Sequence, residues 1–325
     1  MKIKAFASAC FVLAAWNTPA LAESSCPPLR VAASVDMITM PSGRVVVPMN
    51  VAGETHYFFI GTATPYTSIT ATVAKAHHFP AEHSDIRFVG LSGELSDKMT
   101  TVPSFGIGRL VSGRTRLLMV EHDYPTANGI TPDGTLGADF LRAYDVELDF
   151  AAAKLNLISR EHCDVEPVYW PSQTIAKVPM LVTDLNKITF KMTLDGHDLQ
   201  TILNTDMSGS SIKLSTATSL FDIDNTTPGN KAVGTLGDGT PLFAHRFKSL
   251  SVDGLAIANP LLVLMPSKAD AEIEHLHNMH SGAGHGPLVI HQQPDLVLGM
   301  AELRHLHVYI DYHHQMVYLT PAEAH

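Results

Sequence analysis

The chain has 325 residues, 45% of them hydrophobic and 17% charged, an ordinary globular composition long enough to bury one large core or two smaller ones. Its formal net charge of −10 argues against a nucleic-acid partner or an anionic membrane surface. No block of like charge stands out.

The first predicted element is a leader. Lys2 and Lys4 form a positive n-region, "AFASACFVLAAW" is an apolar run too short to span a bilayer, and "TPALA" ends in Ala20-Leu21-Ala22, a small-x-small cleavage pattern. This predicts a signal peptide over 1–22 with cleavage near Ala22. The mature protein is then periplasmic or secreted, with no membrane span; the alternative is an uncleaved anchor. Cys10 leaves with the leader. Cys26 and Cys163 remain, an even count in an oxidising compartment. Joined, they would contribute about 4–5 kcal/mol on the chain-entropy account; the alternative is two free, buried thiols.

The body of the chain repeats itself. "VPMNVAGETHYFFIGTATPYTSIT", from Val47, alternates apolar residues through a Gly turn and ends in a Thr/Ser-rich loop, the pattern of a β-hairpin feeding a third strand. "FKMTLDGHDLQTILNTDMSGSSIKLS", from Phe190, repeats it and sets Asn204 against Gly61, 143 positions apart. "FVGLSGEL" and "AVGTLGDG" match Gly90 with Gly234 at a separation of 144, which "RLLMV" and "PLLVL" keep. "LGADFLRAYDVELDFAAAKLNL", from Leu136, recurs from Leu298 as "LGMAELRHLHVYIDYHHQMVYL". There Gly137/Gly299, Arg142/Arg304 and Asp149/Asp311 stand 162 apart, so the second copy gains 18 residues before its closing block. A short helix is expected just after each Leu-Gly. "EHCDVEPVYWPSQ", with Pro167 and Pro171, reads as a linker. The expected fold is mostly β, with two homologous lobes, 23–160 and 178–325, around a linker 161–177 and an approximate two-fold.

This repeat resembles the aspartic proteases, in particular the bacterial retropepsin-like group, over nearly all the mature chain. The Leu-Gly blocks are the most specific match, and "VGLSGE" and "VGTLGDG" look like two flaps. The resemblance implies a bilobal, pepsin-like monomer: two retropepsin-type β-barrel lobes with a cleft between them. It places the two catalytic Asp positions on Gly61 and Asn204. Thr62 and Thr205 fit the family loop, whereas Ala63 and Asp206 stand where it has Gly. Family chemistry needs two carboxyls sharing one proton, whose repulsion splits their pKa values so that one acts as base and one as acid. Gly61 has no side chain, and Asn204 cannot take a proton from water. The resemblance further implies that Thr62 and Thr205 pin the paired loops, that Gly61 faces Asn204, and that the side chain of Asp206 points away from the shared water.

Lost catalysis is the first functional reading: a pseudo-protease that binds an extended peptide or protein segment in the cleft by strand-like pairing. The alternative is an atypical active endopeptidase using Asp206 or a group the sequence does not identify. Ser68, Ser208 and Ser210 read as local loop hydrogen-bonders. A third reading comes from the 18 histidines. His275, His277, His280 and His285 crowd the insert of the second lobe, and imidazole-rich runs in exported proteins bind zinc or copper; the alternative is a solvated loop. No other cofactor is expected. His77-His78 and His313-His314 read as surface pairs, and Asp139, Asp149 and Asp311 as turn or cap residues.

Overall fold

The computed structural model describes residues 27–89, 95–162, 167–237, 239–266, 288–289 and 294–322, with 85–89, 95 and 288–289 described by backbone alone. The expected leader, residues 1–22, and Gly90, Cys26, Cys163, His275, His277, His280 and His285 lie outside the described residues.

Local chemistry sets the hairpins. Strand Val45–Val51 buries Val45, Val47, Met49 and Val51 and pairs antiparallel with Glu54–Ile60, Val51 opposite Glu54. The turn between them, Ala52-Gly53, has φ of 53° and 93°, positive at both central residues as a twist-matched two-residue hairpin needs. In the second copy Ile188–Leu194 pairs with His197–Leu203 around Asp195-Gly196, with φ of 43° and 89°.

Each hairpin feeds the same arrangement. Strand Ser68–Thr70 lies between Thr115–Val120, parallel to it, and Pro132–Leu136, antiparallel, and the latter runs parallel to Glu54–Ile60. Likewise Ser211–Lys213 lies between Leu261–Met265 and Leu296–Leu298, and the latter runs parallel to His197–Leu203. The sequence repeat is thus a strand-for-strand repeat of topology, in sheets of eleven and ten strands. Leu288–Val289, near the end of the second-lobe insert, crosses to pair with Arg87 and Phe88 at the edge of the first-lobe sheet.

A six-stranded sheet joins the lobes, in the order Val31–Asp36, Lys154–Ile158, Asp145–Asp149, Leu306–Asp311, Met316–Pro321, Ala176–Pro179. Its central ladder pairs Val146 with Ile310, Glu147 with Tyr309 and Leu148 with Val308. The repeat relates Val146 to Val308 and Leu148 to Ile310, so the approximate two-fold passes between Glu147 and Tyr309. One apolar core runs through both lobes and this sheet, taking in Ile60, Leu136, Leu148, Leu203, Leu298 and Ile310.

The expected short helices are Ala138–Leu141 and Met300–Leu303. Two further helices, Ala71–Ala76 and Leu214–Phe221, follow the Thr/Ser-rich loops where the sequence showed no helical period. In the stretch expected to be a linker one side chain packs into the fold. Trp170 is buried, stacks on His307 at 3.7 Å between ring centroids, and donates its indole N–H to Thr320 Oγ1 at 2.9 Å. A large aromatic with a satisfied polar tip packs rather than tethers. Among the described residues no helix is long and apolar enough to cross a membrane.

Candidate active-site remnant at the lobe junction

Two loops meet at the junction, each held from behind in the same way. Gly61 N donates to Leu136 O and Asn204 N to Leu298 O, both at 2.9 Å. Gly137 N donates to Thr67 Oγ1 at 3.0 Å, and that hydroxyl donates to Asp139 Oδ1 at 2.6 Å. In the second lobe Gly299 N donates to Ser210 Oγ at 2.8 Å, and Ser210 donates to Glu302 Oε2. Burial pushes the Asp139 and Glu302 carboxyls above their ordinary range against these hydrogen bonds. Glycine is required at 137: a Cβ there would lie 2.5 Å from the Tyr66 carbonyl carbon and 2.6 Å from Thr67 N.

The loops are cross-bonded to each other. Thr62 N donates to Thr205 Oγ1 and Thr205 N to Thr62 Oγ1, both at 3.1 Å. Each hydroxyl also donates across the junction, Thr62 to Leu203 O at 2.9 Å and Thr205 to Ile60 O at 2.5 Å. All of these atoms are buried, so no water competes for the bonds.

Asp206 departs from expectation. Its side chain does not point away; it turns into the space that Gly61 leaves. A Cβ on Gly61 would sit 2.7 Å from Asp206 Oδ2. That oxygen accepts from Thr64 Oγ1 at 2.6 Å, and Oδ1 accepts from Arg44 Nη2 at 3.2 Å. The Arg44 guanidinium lies 3.5 Å over the Phe59 ring, a cation–π seat. Burial pushes the Asp206 carboxyl upward, while the Arg44 charge and the Thr64 hydroxyl pull against it. Asn204 Oδ1 turns to its own loop and accepts from Asp206 N at 2.8 Å. The reason is steric: with no side chain at 61, the nearest carboxylate fills the gap and finds a cation and a hydroxyl already there.

This group therefore offers one carboxylate, one guanidinium, one amide and the threonine hydroxyls. A lone carboxylate paired with an arginine has no second carboxyl with which to share a proton. Sequence reasoning missed Arg44 and Thr64. Arg44 lies in an ordinary "SGR" turn, 162 residues from its partner, and nothing local marks it.

The remaining candidates lie outside this group. Ala152 N donates to Asp149 Oδ1 at 2.8 Å and His314 N to Asp311 Oδ1 at 2.7 Å, turn roles as expected. Ser208 is exposed. His314 is half-buried and held by Asp311 Oδ2 at 2.8 Å rather than free on the surface. His77 is also half-buried, at the C-cap of helix Ala71–Ala76. His162 and His307, unremarked in the sequence, are buried against Asp145 and Glu147 at 2.7 and 2.8 Å.

Residues 47–140 match the family model described as aspartyl protease, a stretch that contains the Gly61 loop and the first five residues of the first Leu-Gly block. Among solved structures, basic 7S globulin from soybean is 8% identical, covering 92% of this chain and 96% of that one with a TM-score of 0.48. An aspartic proteinase from Irpex lacteus is 12% identical, covering 89% of this chain and 97% of that one with a TM-score of 0.49. No curated protein matches the chain.

Proposed function

We propose that this aspartic-protease-like chain is an exported pseudo-protease that holds an extended peptide or protein segment in the cleft between its lobes without cutting it. The observation that carries this reading is the Asp206 carboxylate in the place of a Gly61 side chain, neutralised by Arg44. Peptide hydrolysis of the family type needs a second carboxyl to divide the roles of base and acid, and Asn204 supplies neither. Strand Lys231–Thr235 favours a binding role: it is the last strand of its sheet and all five residues are exposed. Such an edge accepts an extended segment by backbone pairing.

The test is a peptide-library digestion from acid to neutral pH, read by mass spectrometry, with retention of uncut peptides measured in parallel. The wild type should give no product at any pH, with or without a pepstatin-like inhibitor, and should retain peptides. A second reading, an endopeptidase working through Asp206, is favoured by the presence of that carboxylate at the lobe junction. Cleavage that disappears in Asp206→Ala would establish it and overturn the first. The metal-binding reading of His275, His277, His280 and His285 stands as a separate proposal on sequence grounds, tested by zinc and copper titration of the quadruple alanine variant.

A further inference from the structure

On the outer part of the first lobe a second cluster of polar side chains converges, away from the junction. Glu54 and His56 are two residues apart on strand Glu54–Ile60 and so share a face. His77 comes from the end of helix Ala71–Ala76, and Asp133 from strand Pro132–Leu136, at a register shift between Pro132 and Gly134. One ligand atom from each of Glu54, His56 and His77 lies within 4.8 Å of the others.

The state of His56 gives this cluster its meaning. Asp133 Oδ2 accepts from its Nδ1 at 2.8 Å, so that in the neutral ring the lone pair falls on Nε2. Nε2 is buried and has no hydrogen-bond partner among the described residues. An imidazole oriented by a carboxylate through one nitrogen, with the other bare, is the arrangement of a metal-ligating histidine with its supporting carboxylate. The second ring is also fixed in place. His77 stacks on Phe79 at 5.1 Å between centroids and meets His56 edge-on at 5.2 Å. His77 Nε2 lies 3.8 Å from Glu54 Oε2. The side chains of His56 and His77 are 12% and 18% exposed and that of Glu54 is 70% exposed, so the site is walled on the histidine side and open at the carboxylate.

The second lobe is an internal control. It repeats the same hairpin and helix, yet the positions that correspond to His56 and His77 are Leu199 and Leu220. The framework does not need the histidines.

We propose that Glu54, His56 and His77 form a binding site for a divalent transition ion of the zinc class, with Asp133 orienting His56. Two imidazoles and one carboxylate suit zinc, with a fourth position left to water; magnesium and calcium prefer all-oxygen sets. The site lies roughly 17 Å along the strand from Gly61, so it is independent of the proposal for the cleft.

The test is calorimetric zinc titration of chelator-treated full-length protein in which His275, His277, His280 and His285 are alanine, with cobalt substitution read by its visible spectrum. One ion per chain should bind, and cobalt should give the intense bands of four-coordination. His56→Leu with His77→Leu, which copies the second lobe, should abolish that binding with the circular dichroism unchanged. Asp133→Asn should weaken it about 10–100-fold. Should the leucine pair misfold, Glu54→Gln at the open side serves instead and should weaken binding at least tenfold. Zinc binding unchanged in a folded leucine pair or in Glu54→Gln would overturn the proposal, as would the absence of binding at micromolar zinc.

Discussion

Gly61 and Asp206 form one geometric unit. A Cβ on Gly61 would lie 2.6 Å from Thr135 Cγ2, 2.7 Å from Asp206 Oδ2 and 2.9 Å from Thr64 Cβ, all closer than carbon normally approaches. The space beside Gly61 is filled by a carboxylate from the other lobe. That sets the order in which a pair of carboxyls could be introduced here. Gly61→Asp with Asn204→Asp, which sets an Asp at both positions the family resemblance marks, puts a new carboxyl where one already sits. Gly61→Asp alone should therefore cost about 2–4 kcal/mol, from overpacking and like charge. Asp206→Gly alone should also destabilise, because it leaves the Arg44 charge without its partner. Combined, they should cost less than the sum, since an Asp at 61 inherits Arg44 and Thr64. A double-mutant cycle by urea unfolding should show coupling of about 1 kcal/mol or more. Additive costs would mean that the two residues do not share the space. Adding Asn204→Asp to that pair makes the variant in which cleavage should be sought.

The elements differ in how much of them could be read from the chain. The hairpins were legible because a period of two and a Gly-containing turn are local signals, and the Leu-Gly blocks because their glycines meet a backbone. Helices Ala71–Ala76 and Leu214–Phe221 were not, since fewer than three turns leave too little of a 3.6 period. Nor was the Arg44–Asp206 pair, which exists only once two loops from different lobes are brought together. Comparing the repeated elements yields a prediction. Asp195, at the first hairpin centre of the second lobe, accepts from Lys248 N at 3.0 Å and Ser249 N at 2.7 Å. The first lobe has Ala52 there, at φ 53°, a conformation that costs an alanine about 1 kcal/mol. Pro103 occupies the place of Lys248 and has no N–H, so a carboxylate at 52 would gain one donor, from Ser104, not two. Ala52→Asp should stabilise the protein by about 0.5–1 kcal/mol, a gain of roughly 1–4 °C in Tm. A Tm that falls or does not move would show that the two hairpin ends are not equivalent.

At the scale of the molecule the question is whether two lobes behave as one. Two-domain chains often unfold in steps, but here the lobes share a continuous hydrogen-bonded sheet and one large apolar cluster. Beside its central ladder lies a buried polar group. Glu147 accepts from His307 Nε2 at 2.8 Å, from Asn156 Nδ2 at 2.9 Å and from the Tyr169 hydroxyl. Burial pushes the Glu147 carboxyl up, yet these hydrogen bonds outweigh it and hold the carboxyl below its ordinary value of 4.5. A carboxyl lowered in the folded state contributes stability that is present above that ordinary value. The contribution is lost as the pH falls through the lowered one. Trp170 covers this group, and the chain has only two tryptophans, the other being Trp16 in the expected leader. In protein prepared without residues 1–22, Trp170 fluorescence reports on the shared sheet alone, while far-ultraviolet circular dichroism reports on all three sheets. The two signals should fall together in urea at neutral pH, and Trp170→Ala should lower the dichroism midpoint by the equivalent of about 3–5 kcal/mol. Below the ordinary glutamate value the common midpoint should drop further, and Glu147→Gln should blunt that drop. Dichroism persisting well after the tryptophan signal is gone would show that the lobes outlast the sheet that joins them.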